Sequence, residues 1–417
     1  MAMVDDYIGF LDMYRTSGDV AAAVEARLRD AGFVDIDSVS KLSEGDKVYF
    51  RSGNLVAAAV MGSNEFRTIV SHIDAPHLDL KPNPFVEKDG YVYLKTVPYG
   101  GVKYFHWVAF PLEIRGTVYT VDGDAYDVSI PTVITDFAPH LDREEDKKSL
   151  GDRFDPEKLM PLVALGKKED VLEKIKDEFG VEEQDFLSAD LQLVPSVKPH
   201  LFGANREFIL AYGHDDRSSV YAELQALLDA APGPTQVAIF VDREEVGSTT
   251  DDSAAAHTLD RFFLKILRLT GRPATMESLL DLYADMRILS ADVSAGYDPL
   301  YGDLYDKENA PVLGEGVSIS KYTGVRGKVG GSEASAAYVA WFRRVLEEND
   351  VPYQSATIGK VGKAGGGTVA VYFARRGASV LDVGAPVLSM HAPVEVLAKI
   401  DLEATYRAYK SFFEVLD

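Results

Sequence analysis

Gln236-Val237-Ala238-Ile239-Phe240-Val241-Asp242-Arg243-Glu244-Glu245-Val246-Gly247-Ser248 is the stretch that decides the fold. Gln236–Val241 is a β-rich apolar run without the alternation of a half-exposed strand, as expected of a buried strand in a parallel sheet. The chain then turns polar at once, and in open α/β sheets ligands gather where strands end and loops begin. The surrounding texture agrees. Phe208–Tyr212 reads as a strand leading to a helix at Ser219–Ala231, and helices are predicted at Arg261–Thr270, Ser332–Glu348 and Leu402–Phe413. Strands are predicted at Ile288–Leu289, Thr368–Phe373 and Val387–Met390. Alternation of this kind predicts a sheet sandwiched between helices.

Working outward toward the N-terminus, Asp19–Ala31 reads as a helix, with Val20, Val24 and Leu28 on one face and Gly32 as its stop. Lys47–Arg51, Leu55–Met61 and Phe66–His72 read as strands separated by turn signals. The pattern then breaks into short strands with turns at Lys81-Pro82-Asn83-Pro84, Asp89-Gly90, Tyr99-Gly100-Gly101 and Asp122-Gly123-Asp124. A charged run, Asp142–Lys148, reads as a solvated loop, Lys167–Phe179 as a helix and Leu191–Pro195 as a strand. The expected organisation is an α/β domain with a helix-flanked mixed sheet, built from residues 1–75 and 206–417 and interrupted by a β-rich, barrel-like insertion at 76–205.

Composition narrows the chemistry. With 417 residues, 46% apolar and 26% charged, the chain can bury a large core. It contains no cysteine, which excludes disulfides, thiolate metal sites and cysteine nucleophiles; any metal must be held by His, Asp and Glu. A net charge of −23 argues against nucleic acid and anionic membrane as partners. Neither a basic-then-apolar leader nor a long apolar span is evident, so a cytoplasmic location is expected.

Five polar segments follow apolar strand runs: Ser71-His72-Ile73-Asp74, His214-Asp215-Asp216-Arg217, Asp242–Ser248, Ser290-Ala291-Asp292 and Ser389-Met390-His391. Each alone has a bland reading as a loop start or helix cap. Jointly they hold the inventory of a two-metal hydrolase: a bridging carboxylate, N and O ligands for two ions, and a general base. In His72-x-Asp74 the two side chains would project to one side of a strand, so Asp74 reads as a residue that orients His72. Adjacent Glu244 and Glu245 can face different directions, one toward metal and one toward a proton.

These segments resemble the aspartyl-aminopeptidase family of co-catalytic metallopeptidases. The likeness rests on His72-Ile73-Asp74-Ala75-Pro76, Lys81-Pro82, Tyr99-Gly100-Gly101 with Trp107, Glu244–Ser248, Gly365–Thr368 and Met390-His391, in that order. The resemblance implies that His72, Asp215 and Asp292 hold one ion and Asp215, Glu245 and His391 the other. It further implies a metal-bound hydroxide as nucleophile, Glu244 as general base and a cis peptide between Asp215 and Asp216. The insertion is implied to mediate dimerisation within a dodecamer, with His140 reaching a neighbouring subunit's site. Peptides are the implied substrates. The mixed ligand set suits zinc first, with cobalt or manganese as alternatives. After Asp292 the family's histidine-containing stretch is replaced by Val293-Ser294-Ala295-Gly296-Tyr297-Asp298-Pro299, which leaves the preferred N-terminal residue open. The competing readings are a deacylase or carboxypeptidase with the same site, and a non-catalytic metal-containing cage.

Overall fold

The computed structural model describes residues 2–142 and 144–416. Met1, Asp417 and Arg143, which belongs to the charged run, lie outside the described residues. Two compact units are present. One comprises Met1–Asp74, His200–Met390 and Glu395–Asp417; the other comprises Ala75–Pro199 and His391–Val394. The chain thus crosses between units next to residues 75 and 200, and it makes a short second visit, His391–Val394, to which local pattern gives no clue.

Among the described residues, nine strands form the main sheet of the first unit. Their spatial order is Val34–Asp35, Lys47–Ser52, Leu55–Val60, Thr235–Val241, Phe66–His72, Arg287–Ser290, Ser379–Gly384, Val317–Ser320 and Tyr353–Ser355. Thr235–Val241 is buried throughout and runs parallel to Phe66–His72 and antiparallel to Leu55–Val60. Its apolarity has a direct cause, because alternate residues feed two different cores. Ala238 and Phe240 join the helices Ala2–Met13, Ser17–Asp30, His214–Asp229, Ala336–Glu348 and Lys399–Glu414. Val237, Ile239 and Val241 join Thr258–Leu269, Met276–Asp285 and Ala370–Arg375. A side chain removed from either set would leave a cavity, at a cost of about 2–5 kcal/mol for a large aliphatic residue. A smaller sheet in the same unit pairs His200–Phe202, Phe208–Ala211, Glu395–Ala398, Pro386–Leu388 and Ser294–Ala295.

Among the described residues, the second unit holds six strands in the order Ala125–Thr132, Leu112–Tyr119, Ala189–Pro195, His77–Lys88, Tyr91–Tyr99 and Leu162–Leu165, all antiparallel. A bridge between Val133 and Leu162 nearly closes this sheet into a barrel. Fully buried Trp107 packs with Leu78, Ile114 and Leu193 inside it, and Ile175 of the helix Lys168–Phe179 adds to the same core. Lys81-Pro82-Asn83-Pro84 does not turn the chain. It makes an irregularity between Leu80 and Phe85 inside one long strand, as expected where two prolines remove ladder donors.

Local hydrogen bonding accounts for most differences from the predicted elements. The second helix begins at Ser17 because Thr16 caps it: Thr16 Oγ1 accepts from Asp19 N at 3.1 Å while the Asp19 carboxylate accepts from Thr16 N. Ser335 caps the helix at Ala336, four residues after its expected start, by accepting from Tyr338 N. Thr368–Phe373 is not a strand. Thr368 Oγ1 accepts from Ala370 N, and Ala370 and Phe373, one helical turn apart, are buried in the helix Ala370–Arg375. The strand expected at Val387–Met390 is Pro386–Leu388, ending where Ser389 takes φ 59°. Met276–Asp285, capped by Thr275, was not foreseen. Among the described residues, no helix is long and apolar enough to cross a membrane.

Candidate metal centre

Three neighbouring parallel strands finish at one edge of the main sheet. In register, Val241 lies opposite His72 and Ser290 opposite Val70, so His72, the Asp242–Glu245 loop and Asp292 emerge together. Interstrand bonds continue past the strand ends, from Ile73 N to Val241 O at 2.9 Å and from Ala291 N to Val70 O at 2.7 Å. The helix His214–Asp229 starts beside them. Asp215 and Asp216 depart from helical φ/ψ there, the peptide between them is cis, and Asp216 Oδ2 accepts from His72 N at 3.2 Å.

His72 Nδ1 lies 3.1 Å from the carbonyl oxygen of Asp74, which can only accept, so Nδ1 carries the proton and Nε2 is left to act as a ligand atom. Nε2 is 3.4 Å from Asp215 Oδ1. Ligand atoms of His72, Asp215 and Asp292 lie within 4.8 Å of one another, and so do those of His72, Glu244 and Glu245. The sequence brought Asp74 forward as an orienter of His72. In the structure it does more, because its fully buried carboxylate accepts from Glu244 N and Glu245 N, each at 3.1 Å. The short 3-10 turn Glu244–Val246 is bracketed by left-handed Arg243 and Gly247, so Asp74 sets the glutamate pair against the histidine.

The electrostatics fit a bound cation. Burial opposes protonation of His72, but bonds to Asp215 and Asp74 and the charge of Asp216 outweigh it and hold its pKa well above the usual value. Loss of hydration, followed by the charges of Asp216 and Asp215, pushes Asp292 well up. Burial likewise raises Asp216, with Asp215 adding to it against the opposing effect of His72. Carboxylates this close are costly to keep ionised unless positive charge lies between them. The donors are imidazole and carboxylate, with no thiol in the chain, which suits zinc, manganese or cobalt.

Two of the other predicted residues, His140 and His391, belong to the second unit. His391 takes φ 65° there, and its Nδ1 lies 3.1 Å from the Gly101 carbonyl oxygen. A Cβ at Gly101 would stand 3.0 Å from that nitrogen, a physical reason for glycine in Tyr99-Gly100-Gly101. His140 is exposed on the turn Pro139–Leu141 of the second unit. His214, within one of the five segments, is core. Its Nδ1 accepts from the Tyr7 hydroxyl at 2.7 Å, its Nε2 donates to Ile209 O, and burial lowers its pKa to about 4. Sequence reasoning missed Glu395, whose buried Oε2 accepts from Asp215 N at 3.0 Å. It also missed the role of Asp216, and no spacing marks either residue.

The family described as "Aminopeptidase I zinc metalloprotease (M18)" matches residues 10–413. A probable M18 family aminopeptidase 1 of Thermotoga maritima is 37% identical over 439 residues, spanning 100% of this chain and 96% of the relative. The crystal structure of an M18 aminopeptidase from Thermotoga maritima superposes with a TM-score of 0.96 at 36% identity, covering 100% of this chain and 96% of the other. The S. cerevisiae mApe1 dodecamer shares the fold, with a TM-score of 0.79 at 22% identity over 98% of this chain and 95% of its own. The chain therefore belongs to the M18 family and is a zinc metallo-aminopeptidase.

Proposed function

We propose that two zinc ions serve the aminopeptidase reaction, one held by His72, Asp215 and Asp292 and the other by Asp215, Glu245 and His391, with Asp215 shared. The observation that carries the reading is the convergence of His72, Asp215 and Asp292 within 4.8 Å at the end of three parallel strands, with Glu244 and Glu245 grouped on the same histidine. For His391 the support is its place in the family's motif order and an Nδ1 engaged with a carbonyl, which leaves Nε2 for a ligand. Bound divalent ions supply Lewis acidity, which polarises a peptide carbonyl and makes water acidic. Glu244 is the general base: it takes the proton of the attacking water and returns it to the departing amine. Asp74 holds Glu244 and Glu245 in place through their amides. The carboxylates grouped around His72 receive the substrate's α-ammonium group.

The chain acts in the cytoplasm as a homo-oligomer, dimers assembling into a dodecamer like that of the yeast relative. The unit formed by Ala75–Pro199 carries exposed Val121, Leu165 and Leu187, apolar surface suited to contact with another copy. In that assembly His140, exposed on its turn, reaches a neighbouring subunit's site. Zinc titrated into metal-free protein, with aminoacyl-anilide hydrolysis as readout, should saturate activity at two ions per subunit. Saturation at one ion would overturn the two-metal reading, and light scattering tests the assembly.

A further inference from the structure

The main sheet carries a second polar cluster that the metal centre does not use. Asp382 lies on the strand Ser379–Gly384, in parallel register with Ser290, two residues before Asp292. Its carboxylate is buried and accepts from Thr368 Oγ1 at 2.5 Å and from Ser332 Oγ at 3.2 Å, while Ser290 Oγ lies 3.4 Å from Thr368 Oγ1. Thr368 and Ser332 are the inner ends of two loops, 357–368 and 321–332. The first contains five glycines and the second four; together they hold five Lys and Arg and no acidic residue, in a chain of net charge −23.

The two loops are stitched to each other. Gly324 N donates to Gly366 O at 2.6 Å, and a Cβ at Gly331 or Gly365 would collide with backbone of the 321–332 loop. Between them they line most of a cavity of about 210 Å3 walled by Tyr322, Thr323, Thr357, Ile358 and Lys360. Segments this rich in glycine have little conformational preference of their own, so their geometry depends on such tethers.

We propose that Asp382 is a positioning residue for the peptidase reaction. It pins the inner ends of both loops to the sheet edge from which Asp292 emerges and so keeps the loop-lined cavity shaped as a seat for substrate residues. The inference rests on the aminopeptidase assignment and on Asp292 belonging to the metal centre. All three neighbours of the carboxylate are hydroxyls, which can donate or accept. An amide can therefore preserve the tether and a methyl group cannot.

The test uses zinc-loaded protein. Asp382→Ala should raise KM about tenfold, equivalent to about 1.4 kcal/mol of lost binding, with kcat within about threefold. Its zinc content should be that of the wild type, and trypsin should cut several times faster at Arg326, Lys328, Lys360 and Lys363. Asp382→Asn should recover most of the lost affinity and protection. An unchanged KM in Asp382→Ala, a joint fall of kcat and zinc content, or an amide variant as impaired as the alanine would each overturn the proposal. Zinc content read separately distinguishes failure of the metal reading from failure of the loop reading. Should Asp382→Ala not fold, Thr368→Val removes the shorter bond and is read by the same measurements.

Discussion

The first unit contains two kinds of sequestered carboxylate, and their contrast separates structure from function. Fully buried Asp401 accepts backbone N–H groups from Gly314 at 2.7 Å and Gly316 at 2.9 Å; burial raises its pKa to about 6 against the lowering effect of those bonds. The protein itself supplies its compensation, and the outcome is a fixed turn beside the helix Lys399–Glu414. Asp215, Asp216 and Asp292 crowd one another and His72, and the raised pKa values of Asp216 and Asp292 include the charge of neighbouring carboxylates. Burial alone is thus a poor marker of a site. Convergence of like charges on one point is a better one, because only an outside cation or proton relieves it.

Glu244→Gln should give the largest effect. Loss of a positioned base costs about 10²–10⁴ in kcat, with zinc content and fold preserved; hydrolysis at the wild-type rate would remove Glu244 from the mechanism. Zinc itself comes next. At about a thousandfold excess over its dissociation constant, a ligand that binds only the folded state adds about 4 kcal/mol. Metal removal should therefore lower the unfolding midpoint of the wild type markedly, and Asp292→Asn should lose most of that zinc-dependent gain. Equal stabilisation of both proteins by zinc would break the comparison, since the crowded carboxylates would then not be the metal site. Asp401→Ala should cost about 1–3 kcal/mol through two orphaned N–H groups, by the same amount with and without zinc. A zinc-dependent cost would mean that the two carboxylate sets are coupled.

Those residues were unequally legible. The strand Thr235–Val241 announced itself because both faces are covered, and Glu244 and Glu245 after it come close to His72 because three parallel strands end together. Asp74 was visible from its spacing to His72, but its bonds to the amides of Glu244 and Glu245 join residues 170 and 171 positions apart and leave no local trace. Glu395 and Asp382 were hidden for the same reason. Each is a single acid in an apolar strand, and its partner is a backbone amide or a hydroxyl brought in by topology. His214 shows the converse failure: it sits in a segment rich in candidate ligands, yet Tyr7, from a helix the periodicity did not reveal, takes up its Nδ1. The barrel-like unit was legible as a change of texture. The return of His391–Val394 to it was not, because four residues carry no period.

The smallest expected effect tests the compensated carboxylate by pH. Asp401 has a folded-state pKa of about 6, above the value of 3.8 for a free aspartate. A raised pKa means that the folded chain holds the proton more tightly than the unfolded chain, so the linked stabilisation is complete below about pH 4 and is lost as pH rises through about 6. A shift of about two units corresponds to at most about 3 kcal/mol. Asp401→Asn does not titrate, and the amide's poorer match to two N–H donors costs the same at every pH, so it drops out of the slope. In urea unfolding with chelator present, which removes the metal centre's own proton linkage to zinc, the wild type should lose ground to Asp401→Asn between about pH 4 and 6 and run parallel above about pH 7. A difference that stays flat across that window would mean that the two N–H donors hold Asp401 ionised throughout, and that the carboxylate is compensated more completely than its burial implies.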